Sequence, residues 1–143
     1  MFRKNFNPLT TLICIVLVLI VAVITATPVT HPIKSIDETR EMIAELGYQW
    51  QDEGVPVIVF ASSHCPASKA LEAELKRHEV YYLRVDVDTN EVGRSLHGKI
   101  GRNYFGTVAT RATPTTVIGT TVIRGNQVEA ILKEISVQNQ KYN

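Results

Sequence analysis

The sequence predicts an α/β fold, a mixed sheet of about four strands with helices on both faces, preceded by an N-terminal transmembrane helix. The nearly all-apolar run Val55 to Phe60 is typical of a central strand that is covered on both faces. A helical pattern and a second strand follow it, as in two parallel strands joined by a helix. Two short β-branched runs on either side of Gly119-Thr120 then predict an antiparallel hairpin.

The composition of the 143-residue chain limits the classes of protein to which it can belong. The 15 Lys and Arg residues nearly balance the 14 Asp and Glu residues, so the net charge of +1 indicates no nucleic-acid partner. A hydrophobic content of 45% is in the range of globular domains and argues against disorder. Two cysteines and a few scattered histidines predict no metal site and no disulfide framework.

The first 27 residues have the order of parts of a membrane anchor or a secretory signal segment. Arg3 and Lys4 precede an apolar stretch from residue 9 to residue 26, close to the roughly 20 residues that cross a bilayer. We expect a single-pass anchor that leaves the N-terminus in the cytoplasm and the rest of the chain on the exported (periplasmic or extracytoplasmic) side. The alternative is secretion after signal cleavage, although the Ile-Thr-Ala at residues 24–26 is a poor cleavage site because its isoleucine is bulky.

Residues 28–53 are predicted to form a linker and a first helix. Two prolines in "TPVTHPIK" indicate a short extended tether. Ser35 and Glu38 form the pattern of a capping box, and apolar residues at helical spacing follow as far as Gly47, where we expect the helix to end. The domain that carries the sheet is predicted to occupy residues 54–143.

A second helix and a second strand are predicted after the first strand. The helix should run to about His78, and the strand should extend from Val80 to Val87. The buried stripe of this helix is predicted at four apolar positions, Ala67, Ala70, Leu71 and Leu75.

The last part of the chain predicts a third helix, the hairpin and a fourth helix. Residues 89–105 have apolar side chains at helical spacing, but three glycines weaken the pattern. The hairpin strands are predicted at Thr115–Ile118 and Thr121–Arg124. The final helix is predicted from four apolar residues at i, i+3, i+4 and i+7, namely Val128, Ile131, Leu132 and Ile135.

Cys65 lies in "FASSHCPASKALEAEL", at the junction between the first strand and the helix that follows it. Pro66 suits the first helical position because its missing N–H costs nothing there. The unpaired N–H groups and the positive end of the helix dipole then favour the thiolate of Cys65. Protonated His64 would add to this effect, and Ser68, one helical turn on, would donate a hydrogen bond to the sulfur. The alternative is a small buried cysteine without chemistry, since free cysteine is among the most buried residue types.

Four segments, "VIVFASSHCPASKALEAEL", "RVDVD", "RATPTTVIG" and "RGNQVEAI", together resemble a known superfamily. In this order and spacing they are similar to thioredoxin-fold proteins, and most closely to the glutaredoxin-like branch, over roughly residues 54–137. The resemblance identifies Cys-Pro-Ala-Ser as a monothiol site. It implies a thioredoxin-like fold in which Pro114 has a cis peptide bond and lies against Cys65. The backbone of Thr113 is then free to pair with a peptide or with glutathione.

The resemblance also implies where glutathione or a peptide binds. His64 lies beside the cysteine and belongs to the expected binding set. The segment Arg124-Gly125-Asn126-Gln127 stands where glutaredoxins have Gly-Gly, a small residue and Asp, and the acidic residue is missing here. Gly125, Asn126 and Gln127 belong to the expected binding set. Backbone N–H groups of the last two residues could still bind a carboxylate at the start of the last helix. Ser62 takes the place of the lysine that glutaredoxins usually carry three residues before the cysteine.

The resemblance implies a glutaredoxin-like monothiol thiol-disulfide oxidoreductase with Cys65, Ser68 and Pro114 in its catalytic site, and the N-terminal segment predicts that it is tethered to a membrane. The Cys65 thiolate would form a mixed disulfide, which Ser68 cannot resolve. The partner is therefore expected to be glutathione or a protein thiol, with glutathione as co-substrate and no bound cofactor. The alternative function is a non-catalytic thioredoxin-fold module that binds a peptide within an envelope assembly.

Overall fold

The computed structural model describes residues 32–106 and 112–142. Helices and strands follow one another in the order α1 (Ile36–Glu45), β1 (Val57–Ala61), α2 (Pro66–Arg77), β2 (Leu83–Asp86), α3 (Glu91–Phe105), β3 (Thr115–Ile118), β4 (Thr121–Arg124) and α4 (Val128–Tyr142). The predicted N-terminal anchor, residues 1–27 with its membrane segment at residues 9–26, lies outside the described residues. None of the helices in the described part of the chain combines the length and the apolar character that a bilayer crossing requires.

The four strands form one mixed sheet in the order β2-β1-β3-β4. β1 pairs with β2 in parallel and with β3 in antiparallel, and β3 pairs with β4 in antiparallel. This arrangement confirms the predicted parallel pair followed by a hairpin. Ala61 is paired with Asp86 at the ends of the two parallel strands. Because parallel strands end at the same edge of a sheet, the loops that follow β1 and β2 meet there.

Helices cover both faces of the sheet, as predicted, and all five residues of β1 are buried. The core of one face combines sheet residues with residues of α1 and α3, namely Ile58, Phe60, Val85 and Val117 with Ile43, Leu96 and Ile100. The core of the other face combines sheet residues with residues of α2 and α4, namely Val57, Val59 and Ile118 with Leu71, Leu75 and Ile131. The end of β1, where the candidate site begins, is therefore fixed by both halves of the core.

Hydrogen bonds cap the N-terminus of α1 and join this helix to the sheet. Its N-cap is Ser35, whose hydroxyl accepts a hydrogen bond from the Glu38 N–H at 3.2 Å, as the capping-box pattern predicts. The Glu38 carboxylate accepts from the N–H of Lys34 at 2.8 Å. The buried hydroxyl of Thr39 donates to the carbonyl of Gly119 at 2.5 Å. α1 is thus bound to the turn between β3 and β4.

The buried stripe of α2 differs from the prediction. Ser68, Leu71 and Leu75 are completely buried, whereas Ala67 and Ala70 are exposed. The three buried residues lie at i, i+3 and i+7, which is a single face of a helix. The prediction was wrong for the two alanines because their single methyl groups lose little by facing water. A hydroxyl group therefore lies on the inner side of the first turn of α2.

β2 is shorter than predicted and spans Leu83–Asp86 instead of residues 80–87. The chain turns after α2 at Glu79, which has a positive φ of 55°. The N–H of Val80 donates to the carbonyl of Leu75 at 3.0 Å. This hydrogen bond closes the C-terminus of α2 and keeps Val80 out of the sheet.

α3 is a regular helix of 15 residues in spite of its glycines. The side chain of Asn90 caps it by accepting a hydrogen bond from the Gly93 N–H at 2.7 Å. A Cβ atom on Gly93 would lie 2.2 Å from Cγ1 of Val85 in β2, so the glycine is what allows α3 to approach the sheet. Gly98 has no such restriction, because the nearest atom to a Cβ there is 3.5 Å away at the end of the Arg102 side chain.

Gly93→Ala is expected to destabilise the fold, although alanine is the better helix former. A contact of 2.2 Å places the cost near the upper end of the roughly 1–3 kcal/mol that overpacking costs, above the ~1 kcal/mol of helix propensity gained. Gly98→Ala is the matched control in the same helix and should raise the free energy of unfolding by about 0.5–1 kcal/mol. Urea unfolding of both variants measures the difference. Equal stabilisation by the two alanines would contradict the close packing of α3 on β2.

Candidate active site

Cys65 is the N-cap of α2 and follows directly on the loop that leaves β1. Its backbone is extended (φ −88°, ψ 116°), and Pro66 begins the helix, as the sequence predicts. The Cys65 N–H donates to the carbonyl of Ser62 at 3.1 Å, which closes the loop between them. The thiol is free and half-buried. Cys65 can therefore be reached from solvent at the start of a helix, unlike the fully buried cysteine of the alternative interpretation.

Hydrogen bonds at the start of α2 hold the pKa of the Cys65 thiol below its ordinary value. The backbone N–H of Ser68 contributes most, because it donates to the sulfur and favours the anion. Partial burial of the sulfur acts in the opposite direction and raises the pKa. The side chains of Ser68 and Thr113 and the N–H of Ala67 add further hydrogen bonds that lower it. The sulfur is thus stabilised as a thiolate by groups at a helix N-terminus.

The peptide bond between Thr113 and Pro114 is cis, as the resemblance implies. The carbonyl oxygen of Thr113 lies 3.3 Å from Sγ of Cys65 and accepts a hydrogen bond from the thiol. Because a carbonyl oxygen has no proton to donate, this bond exists only while the sulfur is protonated. The hydroxyl of Thr113 can instead donate to the thiolate. Thr113 therefore contacts the sulfur in both of its protonation states.

Gly125 joins the hairpin to the same segment. Its N–H donates to the carbonyl of Pro114 at 2.8 Å, and its φ of 85° is a conformation that favours glycine. Asn126 and Gln127 follow at exposed positions before α4. The Gln127 N–H already donates to the carbonyl of Gly125 at 3.0 Å, so it is not available to the carboxylate that the sequence led us to expect there.

His64 precedes Cys65, but its ring is directed at Asp88. Nδ1 lies 3.3 Å from the Asp88 carboxylate, and the side chain of His64 is 91% exposed. The hydroxyl of Ser62 donates to the same carboxylate at 2.7 Å. His64 is not among the groups that lower the pKa of Cys65. The geometry therefore does not support the expected contribution of His64 to the thiolate.

A second set of polar contacts holds the loop after β1, and the sequence did not reveal it. The Ser63 hydroxyl donates to the carboxylate of Asp86, and Arg84 donates to the same carboxylate at 3.1 Å. The hydroxyl of Ser63, the N–H of Asp88 and the guanidinium of Arg84 lower the pKa of Asp86 to about 2. Arg84 also pairs with Glu72 of α2 at 3.1 Å. The parallel pairing of the first two strands was the available clue, since it places their C-terminal ends at one edge.

A pocket of about 730 Å³ opens beside the site, between the loops after β1 and β2 and one face of α3. Ser62 and Thr113 line it, together with Arg94 and Arg102 of α3. Arg94 is held by two backbone carbonyls of the β2–α3 loop, at 2.8 and 2.5 Å. Within the described part of the chain, no hydrogen bond or ion pair occupies the exposed guanidinium of Arg102. Arg102, which the sequence did not single out, is therefore a cation that can meet an anionic ligand.

No protein-family model and no curated protein matches the chain. Among solved structures, a buckwheat glutaredoxin in complex with glutathione matches 75% of this chain and 88% of its own length, with a TM-score of 0.50 and 11% sequence identity. A mutated buckwheat glutaredoxin matches 76% of this chain and 89% of its own, with a TM-score of 0.50 and 10% identity. The glutaredoxin of Archaeoglobus fulgidus is 24% identical over 57% of this chain and 86% of its own, with a TM-score of 0.46. The two buckwheat structures show that this chain has the thioredoxin-like fold of glutaredoxins.

Ser68→Ala is expected to raise the pKa of Cys65. The variant loses the hydroxyl that hydrogen-bonds the sulfur but keeps the backbone N–H that contributes most, so part of the depression should remain. Ser63→Ala is the matched control, because that hydroxyl binds Asp86 and not the sulfur. The measurement is the pH dependence of alkylation in the full-length chain carrying Cys14→Ser, in which Cys65 is the single thiol. An unchanged pKa in the Ser68 variant would show that its hydroxyl does not stabilise the thiolate.

Proposed function

We propose that this chain is a monothiol, glutaredoxin-like thiol-disulfide oxidoreductase whose Cys65 thiolate forms mixed disulfides with its substrates. One observation carries the proposal: a half-buried cysteine of lowered pKa lies at the start of α2 with Thr113 beside its sulfur. The thiolate is the nucleophile in disulfide exchange, so a lowered pKa increases the reactive fraction near neutral pH.

In the proposed reaction, the Cys65 thiolate attacks the glutathione sulfur of a peptide–glutathione disulfide. A disulfide forms between Cys65 and glutathione, and the peptide leaves as a thiolate that takes a proton from water. The thiolate of a second glutathione then attacks the bound glutathione sulfur, which releases glutathione disulfide and returns the Cys65 thiolate. The net reaction reduces the peptide sulfur and oxidises the second glutathione.

An external thiol as the resolving group agrees with the residues around Cys65. Ser68 stands one turn along α2, where its hydroxyl hydrogen-bonds the sulfur but cannot form a disulfide. The only other cysteine of the sequence is Cys14, within the N-terminal apolar stretch. Glutathione is therefore the proposed co-substrate, and a protein thiol would resolve the intermediate by the same chemistry.

The pocket beside Thr113 offers a positive charge for the carboxylates of glutathione. Ser62 stands where glutaredoxins usually have a lysine, and its hydroxyl is engaged with Asp88. Arg102 lines the pocket from α3, and a guanidinium binds a carboxylate through two parallel hydrogen bonds. In this proposal Arg102 takes over the role of the missing lysine.

The proposed enzyme is tethered to a membrane through residues 9–26, with its N-terminus in the cytoplasm and the thioredoxin-like domain on the exported side. The support is the order of the sequence, with Arg3 and Lys4 ahead of the apolar stretch. Cleavage of this segment would instead yield a secreted domain. The mass of the mature chain distinguishes the two.

Turnover of a glutathionylated peptide by the full-length chain, with glutathione supplied, tests the proposed activity. The wild-type chain is expected to release the peptide thiol, and Cys65→Ser is expected to reduce the rate to background because the nucleophile is gone. Cys14→Ser is the matched control, since it removes the other thiol of the sequence and should keep the activity.

A low pKa of Cys65 without turnover would contradict the enzyme. That result would favour the non-catalytic module that binds a peptide in an envelope assembly. Binding of the reduced peptide, unchanged by Cys65→Ser, would then be expected.

A further inference from the structure

His97 is a buried histidine that the proposed reaction does not use. It lies on α3 with 4% of its surface exposed. Its ring stacks on Phe60 of β1, with 5.5 Å between the ring centroids and 18° between the ring planes. Nε2 of the same ring lies 3.1 Å from the hydroxyl of Thr115 at the start of β3. The side chain thus has a polar contact in addition to its packing.

The hydrogen bonds of Thr115 determine which ring nitrogen of His97 carries the proton. The Thr115 hydroxyl donates its single proton to the carbonyl of Ala112 at 2.8 Å. It can therefore only accept from His97, so Nε2 is protonated and is the donor. The carbonyl of Ala112 also accepts a hydrogen bond from the His97 ring. The Thr115 hydroxyl therefore links Nε2 of His97 to the carbonyl of Ala112.

These contacts bracket the segment that meets the candidate nucleophile. Thr113 follows Ala112 directly, and its carbonyl lies 3.3 Å from Sγ of Cys65. His97 also lines the pocket that Thr113 lines. The position of Thr113, relative to both the sulfur and the pocket, therefore depends on groups that the His97 ring holds.

We propose that His97 is a positioning residue: its Nε2–H holds the hydroxyl of Thr115, which in turn holds Ala112, and this chain of hydrogen bonds sets where Thr113 lies against the Cys65 sulfur. The inference rests on the proposed function only for its effect on turnover. Its effect on Cys65 exists whether or not the chain is an enzyme.

Burial favours the neutral form of His97, and its Nε2–H donor is present in both the neutral and the protonated ring. Burial lowers the pKa of His97, and the hydrogen bond to Ala112 opposes this shift to a smaller extent. The charged groups that line the same pocket are Asp88, Arg94 and Arg102, while Phe60 and Thr115 contribute no charge from the sheet. Because the folded pKa lies below the roughly 6.5 of a free histidine, the stability that comes from burying the neutral ring is complete above that pH and is lost as the pH falls through the folded pKa. The Nε2–H donor itself does not depend on this protonation.

Two variants separate the hydrogen-bond donor from the packing. His97→Phe keeps an aromatic ring on Phe60 but removes the donor, and His97→Gln supplies an amide N–H and does not titrate. In the full-length chain carrying Cys14→Ser, we expect His97→Phe to raise the pKa of Cys65, because the hydroxyl of Thr113 loses its fixed position. We expect His97→Gln to return this pKa towards that of the parent.

Amide hydrogen exchange and enzyme kinetics provide two further comparisons of the His97 variants with the parent. Hydrogen exchange at the Thr115 amide should be faster in His97→Phe than in the parent and should be slowed again in His97→Gln. With a glutathionylated peptide, KM is expected to rise roughly two- to tenfold in His97→Phe, the range for one lost hydrogen bond, with a smaller change in kcat. Thr115→Val removes the same contact from the opposite side and should give the same changes, so the test does not depend on one variant folding.

A parental Cys65 pKa and parental exchange in both His97→Phe and Thr115→Val would overturn the positioning role. A stably folded His97→Gln chain that restores neither quantity would also overturn it. The two proposals can fail separately. If the wild-type chain shows no turnover but the Phe and Gln variants differ as expected in the pKa of Cys65, the proposed enzyme is refuted and the positioning role is supported.

Discussion

The hydrogen bonds that the first turn of α2 donates to the Cys65 sulfur are the interaction on which the candidate site depends. Partial burial alone would raise the pKa of the thiol, and the N–H groups of Ser68 and Ala67 reverse that effect. These groups are available because the first four N–H groups of a helix have no acceptor within the helix. The reactivity of the sulfur thus follows from the order of strand, loop and helix. The neighbouring His64 does not supply it, since its ring pairs with Asp88.

The register of the sheet brings Thr113 to this sulfur. Phe60, near the end of β1, is paired with Thr115 at the start of β3, so the two chain segments that flank these residues leave the sheet side by side. The segment before β3 is then held from two directions. Gly125 donates to the carbonyl of Pro114 at 2.8 Å, and the Thr115 hydroxyl donates to Ala112 at 2.8 Å. The sheet register and these two hydrogen bonds therefore set the position of the segment that contacts the Cys65 sulfur.

The sheet could be predicted from the sequence because its central strand is apolar throughout and the hairpin strands have the predicted limits. The place of Cys65 followed from the junction of an apolar run with a helical pattern, and the cis peptide bond followed from the resemblance. The features that could not be predicted depend on contacts between distant segments. Gly93 weakens the helical pattern in the sequence, and the need for a glycine there is explained only by the close approach of Val85. In the same way, nothing in the sequence around Ser63 shows that its hydroxyl binds Asp86. Local patterns therefore predicted the elements, while the polar contacts between loops required the structure.

The pKa of Cys65 is the measurement that tests the thiolate at the start of α2 most directly. Titration by ultraviolet absorbance of the full-length chain carrying Cys14→Ser, with the chain that also carries Cys65→Ser subtracted, reports the ionisation of this sulfur alone. The hydrogen bonds from α2 and Thr113 predict a midpoint below about 8.5, the value for an unperturbed cysteine. A midpoint at or above about 8.5 would mean that burial outweighs those hydrogen bonds, and it would contradict the activated thiolate.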